Sequence, residues 1–394
     1  MSAAIAAPRT ATRSFARLPG IDALRGLSIV LVVFHHLGLR VPLPESVPQP
    51  LREALTAMGL ESVFVFFAIS GFLIASHSLS RWGALRAIDA RAFYARRAAR
   101  ILPCLVLLVA VLAALALSGV THYALERPDQ TIAGAVAAAL AFRINMYESL
   151  TGYLPASWDV LWSLSIEELF YLAFPLVCLT LGRTRALVPV LLLLALAMPW
   201  TRGAMRGHGL WYEKADLPGM SAIACGVLAA IAVHRWPRVP RRATGAMIVA
   251  ALAGIAFVFL QEGVVWHVLH DGTLLLLAAC AAALCAACAW REGEGAARAA
   301  GSTAATRAVS LPMRLLAPLR ACGRLSYEIY LVHMFVVWAV VDAVQAAYPP
   351  FAASSAAAVP LAYAFAVGGS WAFGATLARA VSQPVERRLL AAGA

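Results

Sequence analysis

Arg25-Gly-Leu-Ser-Ile-Val-Leu-Val-Val-Phe-His-His36 is the stretch on which the fold turns. A cation opens it, nine uncharged residues follow, and a histidine pair closes it. The run reads as the first membrane helix of a polytopic protein. An ionisable side chain is costly there and faces protein or water rather than lipid. On an α-helix, eleven steps of about 100° return almost to the starting azimuth, and eleven rises cover roughly 16 Å. Arg25 and His36 therefore share one face about half a bilayer apart. They read as an anion anchor at one surface and a reactive base deeper along the same passage. His35 lies about 100° round the helix, so only one of the pair points along the Arg25 face.

The composition supports this reading. Of 394 residues, 62% are hydrophobic and 13% charged, with a mean hydropathy of +0.78. Charged residues make up about a quarter of an ordinary globular chain. Apolar runs of about 20 residues recur, each long enough to span a bilayer, and they consume nearly the whole length. The first run carries Arg25 and His36 and lacks a small-residue cleavage site, so it is expected to be a retained helix rather than a signal peptide. The net charge of +12 is almost wholly arginine, with Lys214 as the one lysine. These arginines sit between apolar runs, a pattern that belongs to membrane topology and gives no reason to invoke nucleic acid.

Spans are expected near 21–40, 58–77, 101–120, 159–181, 187–201, 217–234, 243–260, 266–290, 323–342 and 358–381. The apolar stretch 129–145, interrupted by Arg143, reads as a re-entrant or interfacial helix. Residues 1–20 form a basic cytoplasmic tail, 21–388 the membrane domain, and 389–394 a short tail. If the amino terminus is inside, the inner segments are 1–25, 78–100, 182–186, 235–242, 291–324 and 379–394. They hold 25 of the 32 basic residues. This asymmetry predicts an all-α polytopic membrane protein of about ten transmembrane helices with both termini cytoplasmic. No inverted repeat of the kind built into many secondary transporters is evident.

Four places hold groups able to do chemistry. His36 suits a general base, since its ordinary pKa lets it accept a proton near neutrality; a packing histidine at the outer interface is the competing reading. In Phe93-Tyr-Ala-Arg-Arg-Ala-Ala-Arg100, Arg97 and Arg100 are three apart and project together on a helix. Their forked guanidinium groups suit phosphate, although an arginine cluster at an inner helix end is also a plain topology signal. In Trp162-Ser-Leu-Ser-Ile-Glu167-Glu168 two adjacent carboxylates lie in an apolar span. One of them is placed to charge-balance a histidine or to pair with another helix. Gly323-Arg-Leu-Ser-Tyr-Glu328-Ile-Tyr-Leu-Val-His333 adds two more polar groups, with packing a reading on equal terms with catalysis. The seven cysteines fall in or beside apolar spans. Cys285-Ala-Ala-Cys288 has a metal-like spacing but no second ligand pair, so it reads as helix packing, and no metal is expected.

Taken together these stretches resemble the acyltransferase family 3 proteins. The matching pieces are Arg25-x10-His36 after Ile21-Asp-Ala-Leu, Ser70-Gly-Phe-Leu-Ile74, Arg97-Ala-Ala-Arg100-Ile-Leu-Pro, Trp162-Ser-Leu-Ser-Ile-Glu167-Glu-Leu-Phe-Tyr-Leu, Gly323 to His333, and Val385-Glu-Arg387. They occur in family order from residue 21 to 388. Two pieces depart. The usual Gly-Val-Asp-Leu-Phe-Phe is here Gly59-Leu-Glu-Ser-Val-Phe-Val-Phe-Phe, which puts Glu61 where the family has Asp. The end reads Glu386-Arg-Arg where Glu-Arg-Pro is common.

The resemblance implies a ten-helix enzyme of the bacterial cytoplasmic (inner) membrane. Its reaction is the transfer of an acyl group, commonly acetyl, from cytoplasmic acyl-coenzyme A (acetyl-CoA as co-substrate) to a carbohydrate hydroxyl, such as one on a surface polysaccharide or lipopolysaccharide. It implies His36 as the catalytic histidine, Arg25, Arg97 and Arg100 as conduit or coenzyme-facing arginines, and Glu167 as a motif residue whose role it leaves open; in the mechanism read from these residues Glu167 is expected to stabilise the imidazolium. Direct transfer and an acyl-histidine intermediate both fit, as do succinyl or longer donors and a small-molecule acceptor. No esterase-like domain follows the tenth helix, so a second transfer step is expected to need a partner. The rival from another class is a membrane transporter or exporter of a glycan or acylated metabolite.

Overall fold

In a bilayer, an open chain satisfies all its backbone groups only as α-helix. No strand occurs among the described residues, 18–182, 185–300, 314–347 and 358–392 of the computed structural model. The principal helices are α1 (Pro19–Gly38), α2 (Gly59–Trp82), α3 (Ala90–Leu117), α4 (Leu161–Leu181), α5 (Leu187–Leu196), α6 (Asp216–Arg235), α7 (Arg241–Leu260), α8 (Thr273–Ala300), α9 (Ser326–Ala347) and α10 (Ala358–Leu377). Among the described residues, nine stretches are long and apolar enough to cross a membrane. The chain is thus an all-α, multi-pass membrane protein. α5 is the short member of the set: ten residues, or about 15 Å, separated at Ala197 from the helix Met198–Gly203.

Several boundaries differ from those expected. α3 starts at Ala90 rather than near 101, capped by Asp89, whose carboxylate accepts from Ala92 N at 3.0 Å. The arginine segment and the apolar run are therefore one helix, continuous through Pro103. At the far end α10 passes through a π-turn, Ala378–Ser382, into the helix Gln383–Ala392, so the expected tail at 389–394 begins as helix. α8 runs to Ala300, well into the stretch expected to be the longest inner loop. Residues 1–17 of the basic tail and 301–313 of that loop lie outside the described residues. The stretch 129–145 does not span: it is split into the helices Ile132–Leu140 and Ile144–Thr151, with Phe142 between them at φ 56°.

Two close crossings hold the site in place. At Gly26 of α1 a Cβ would lie 1.8 Å from the carbonyl oxygen of Leu319, in the helix Ala317–Arg324, and at Gly323 it would lie 1.7 Å from that of Asp22. Only glycine at both positions lets these backbones meet, as small residues do where membrane helices approach closely. That contact puts Arg25 beside the start of α9. α2 and α6 cross in the same manner, Gly71 against Ile223 and Gly226 against Ala68. Cys288, half of the metal-like pair, lies with its Sγ against Gly20 of α1.

Candidate active site

Two cavities lie at opposite ends of α1, and each takes one end of the Arg25–His36 stretch. The inner cavity, about 720 Å³, is lined by Arg25, α2 from Val63 to Trp82, the start of α3, the first half of α4 and the start of α9. It collects Arg25, Arg81, Arg96, Arg97 and Arg100 against Glu167, Glu168 and Glu386. Arg25 Nη2 donates to Ser326 Oγ at 2.7 Å. The Arg97 guanidinium lies 3.6 Å from the centre of the Tyr171 ring, and that of Arg96 lies 5.7 Å from Trp82. Arg97 Nε and Arg96 Nη2 are buried without a hydrogen-bond partner. Stacking holds these cations while leaving donors free, so surplus positive charge lines the cavity. The volume is within the roughly 300–1,000 Å³ of small-molecule sites.

The outer cavity, about 770 Å³, is lined by Val32, His35 and His36 of α1, by Arg40 just beyond it, by the loop after α3, and by the residues before α4 and α6. The two histidines are used differently. His35 Nδ1–H donates to the carbonyl of Thr56 at 2.8 Å, and its ring lies against Gly59, where a Cβ would be 2.5 Å away. His36 makes no hydrogen bond among the described residues; its ring lies 5.2 Å from that of His35 and 5.2 Å from that of His333.

Behind them sits a buried ion cluster. Lys214 Nζ donates to Glu148 Oε2 at 2.9 Å and to Asp159, with the Tyr153 ring centre 4.4 Å away. Glu148 is fully buried, and its other oxygen accepts from Leu154 N at 3.0 Å. Burial, then the neighbouring Asp159 carboxylate, push Glu148 above the ordinary carboxyl range, against the pull of Lys214.

The cavities share two lining residues, Val63 and Tyr330. Tyr330 is latched there: its hydroxyl donates to the Val160 carbonyl at 2.8 Å and accepts from Ser163 Oγ at 2.7 Å. The structure therefore brings Arg25, Arg97, Arg100 and Glu167 into one cavity and places His36 in the other, the two meeting at a waist of Val63 and Tyr330.

This arrangement corrects one expected pairing. Glu167 lines the inner cavity, where Tyr171 OH donates to its Oε1 at 3.4 Å, and it does not line the cavity that holds His36. Motif spacing along α4 carries no information about depth relative to α1. Glu61 lines neither cavity, and Glu328 accepts from Ser382 Oγ at 2.8 Å as a packing bond. Glu386, known from the sequence only as part of the closing piece, faces the inner arginines. Lys214, Asp159, Glu148 and Tyr330 were missed as site residues. The one usable signal was that Lys214 is the single lysine in a chain that otherwise uses arginine.

The chain matches the acyltransferase 3 family, described as an acyltransferase domain, over residues 18–375. It is 29% identical over 161 residues to the O-acetyltransferase OatA of Staphylococcus aureus (strain NCTC 8325 / PS 47), covering 41% of this chain and 24% of that protein. It is also 29% identical over 168 residues to SACOL0978 of Staphylococcus aureus (strain COL), named for an inferred O-acetyltransferase activity, covering 42% of this chain and 25% of that protein. The aligned part thus spans about a quarter of the length of these relatives. No solved structure matches.

Proposed function

The chain belongs to the acyltransferase family that it matches from residue 18 to 375, and on that premise we propose a membrane O-acyltransferase that moves an acyl group, acetyl in its simplest form, from acyl-coenzyme A to a carbohydrate hydroxyl. The observation that carries this reading is the pair of cavities meeting at Val63 and Tyr330, one rich in arginine and one holding His36. The inner arginines suit the phosphates of a coenzyme. Their free guanidinium donors fit such an anion better than the outer cavity does, where Lys214 already has two carboxylates. The bias of arginine toward the inner segments supports a cytoplasmic donor side, in the inner membrane of a bacterium.

In this reading Arg25, Arg97 and Arg100 hold the coenzyme while its thioester arm extends along the α1 face, past Tyr330, toward His36. An imidazole nitrogen of His36 takes the proton of the acceptor hydroxyl as that oxygen bonds to the thioester carbonyl carbon. The C–S bond then breaks, and the proton passes to the departing thiolate. In an acyl-histidine route a His36 nitrogen first bonds the acyl carbon as the C–S bond breaks and the thiolate leaves; the acceptor oxygen then bonds that carbon as the C–N bond breaks, and the hydroxyl proton passes to the freed imidazole nitrogen and on to the thiolate. Glu167, beside Tyr171 in the inner cavity, is assigned to keeping the arginine cluster oriented rather than to the imidazolium.

Two measurements test this together. Acetyl-CoA binding in detergent weakens in the Arg97→Ala, Arg100→Ala protein, and acylation of surface glycans, read by mass spectrometry, stops in His36→Ala. A transporter would bind glycan without consuming the donor. A normally inserted His36→Ala protein that still acylates the glycan overturns the assignment of the base.

A further inference from the structure

His333 is fully buried in α9, its ring 5.2 Å from that of His36, and the proposed reaction leaves it unused. Its Nδ1 lies 2.7 Å from the carbonyl oxygen of Tyr330. A carbonyl only accepts, so Nδ1 carries the hydrogen and Nε2 carries the lone pair. That Nε2 is buried and has no hydrogen-bond partner, a costly state for a polar atom unless something meets it. His36 likewise makes no hydrogen bond among the described residues, and the two ring centroids are 5.2 Å apart. Two imidazoles sharing one N–H···N bond of about 2.9 Å have their centroids roughly 5 Å apart. The separation of the two rings is thus that of a hydrogen-bonded pair, with the His36 ring to be turned to bring a nitrogen toward Nε2.

From this geometry we propose that His333 is a positioning residue for His36, accepting a hydrogen bond from it through Nε2. The proposal rests on His36 being the base. A lone pair at His333 places the His36 hydrogen on the nitrogen that faces α9. The other His36 nitrogen is then left with its lone pair, free to take the acceptor's proton. When that proton arrives, the imidazolium keeps its bond to His333, and when the proton leaves for the thiolate, His333 is unchanged. The other candidates for this role are occupied. His35 donates to Thr56, Asp159 is held by Lys214, Glu213 accepts from Tyr153 OH at 2.9 Å, and Glu167 lines the other cavity. Tyr330 links the two functions, its side chain forming the waist and its carbonyl setting the His333 tautomer.

The test compares His333→Phe, which keeps a ring and loses the acceptor, with His333→Gln, which keeps an acceptor oxygen. Both are assayed in inverted membrane vesicles with acetyl-CoA, reading thiol release coupled to glycan acylation. The Phe variant is expected to lose kcat by roughly 10–100-fold, a part of what a general base contributes, with KM for acetyl-CoA within twofold of wild type. The Gln variant recovers most of that loss. A Phe variant with wild-type kcat, or Phe and Gln variants equally impaired, overturns the proposal. If the Phe variant does not insert, ¹⁵N spectra of histidine-labelled wild-type protein decide: coupling across an N–H···N bond between His36 and His333 supports it, and its absence overturns it. His36→Ala run alongside keeps the two claims apart. Activity surviving in His36→Ala removes the base itself. An inactive His36→Ala beside a fully active His333→Phe removes only the role of His333.

Discussion

The two cavities are nearly equal in volume, about 720 and 770 Å³, and opposite in how they handle charge. On the inner side guanidinium groups rest on aromatic faces and keep buried N–H donors unpaired. On the outer side the buried cation, Lys214, is enclosed by two carboxylates and a tyrosine ring. On the proposed function, the first arrangement is the one assigned to the anionic donor and the second, already neutralised, the one assigned to the hydroxyl-bearing acceptor. The contrast shows that a membrane interior can hold two polar chambers without mixing their chemistry, provided a thin latched waist stands between them. Here that waist is Tyr330 with Ser163, the Val160 carbonyl and Val63.

The comparison breaks most severely at His36. His36→Ala is expected to lower transfer by roughly 10²–10⁴-fold, the range of a positioned general base, while acetyl-CoA binding stays within twofold; loss of binding instead would place the donor in the outer cavity. Next is Lys214→Met, which removes the shared partner of the buried Glu148 and the half-buried Asp159. Breaking a buried ion pair from one side costs about 3–5 kcal/mol, so its thermal midpoint in detergent should fall well below that of Arg127→Ala, a change at the exposed rim. Arg97→Ala with Arg100→Ala removes charge-assisted hydrogen bonds of about 1.5–3 kcal/mol each. Equilibrium dialysis should show the acetyl-CoA Kd raised by at least about tenfold, with the thermal midpoint little changed.

The smallest effect concerns pH. With Glu148 raised to about 9 by burial and by Asp159, the folded protein binds more protons than the unfolded chain between the ordinary carboxyl range and about pH 9. Stability therefore falls as pH rises through that window. Glu148→Gln should flatten the fall, seen as a smaller loss of thermal midpoint between pH 5 and pH 9 than in wild type.

How far the sequence could be read depended on whether a feature was local. The helices were legible because apolar length is a one-dimensional property, and the shared face of Arg25 and His36 because helical periodicity relates residues within one element. The same holds for Arg97 and Arg100, which do meet in one cavity. Assigning Glu167 to His36 failed because it needed the relative depth of two helices, set by glycine crossings such as Gly26 on Leu319 and Gly323 on Asp22. The Lys214 cluster was illegible for a related reason. Its members come from three separate outer segments, at 148, 159 and 214, and only the fold brings them within one hydrogen bond. The start of α3 was misplaced because arginine lowers local hydropathy without ending a helix that Asp89 caps.

The central claim is that the donor enters at the arginine end, on the cytoplasmic face, and that His36 is reached from there. Its most direct test is sidedness: membrane-impermeant acetyl-CoA, labelled in the acetyl group, supplied to inverted and to right-side-out vesicles carrying the protein. The account predicts labelled glycan in the inverted vesicles and none above background in the right-side-out ones. Equal or greater labelling of right-side-out vesicles would contradict it.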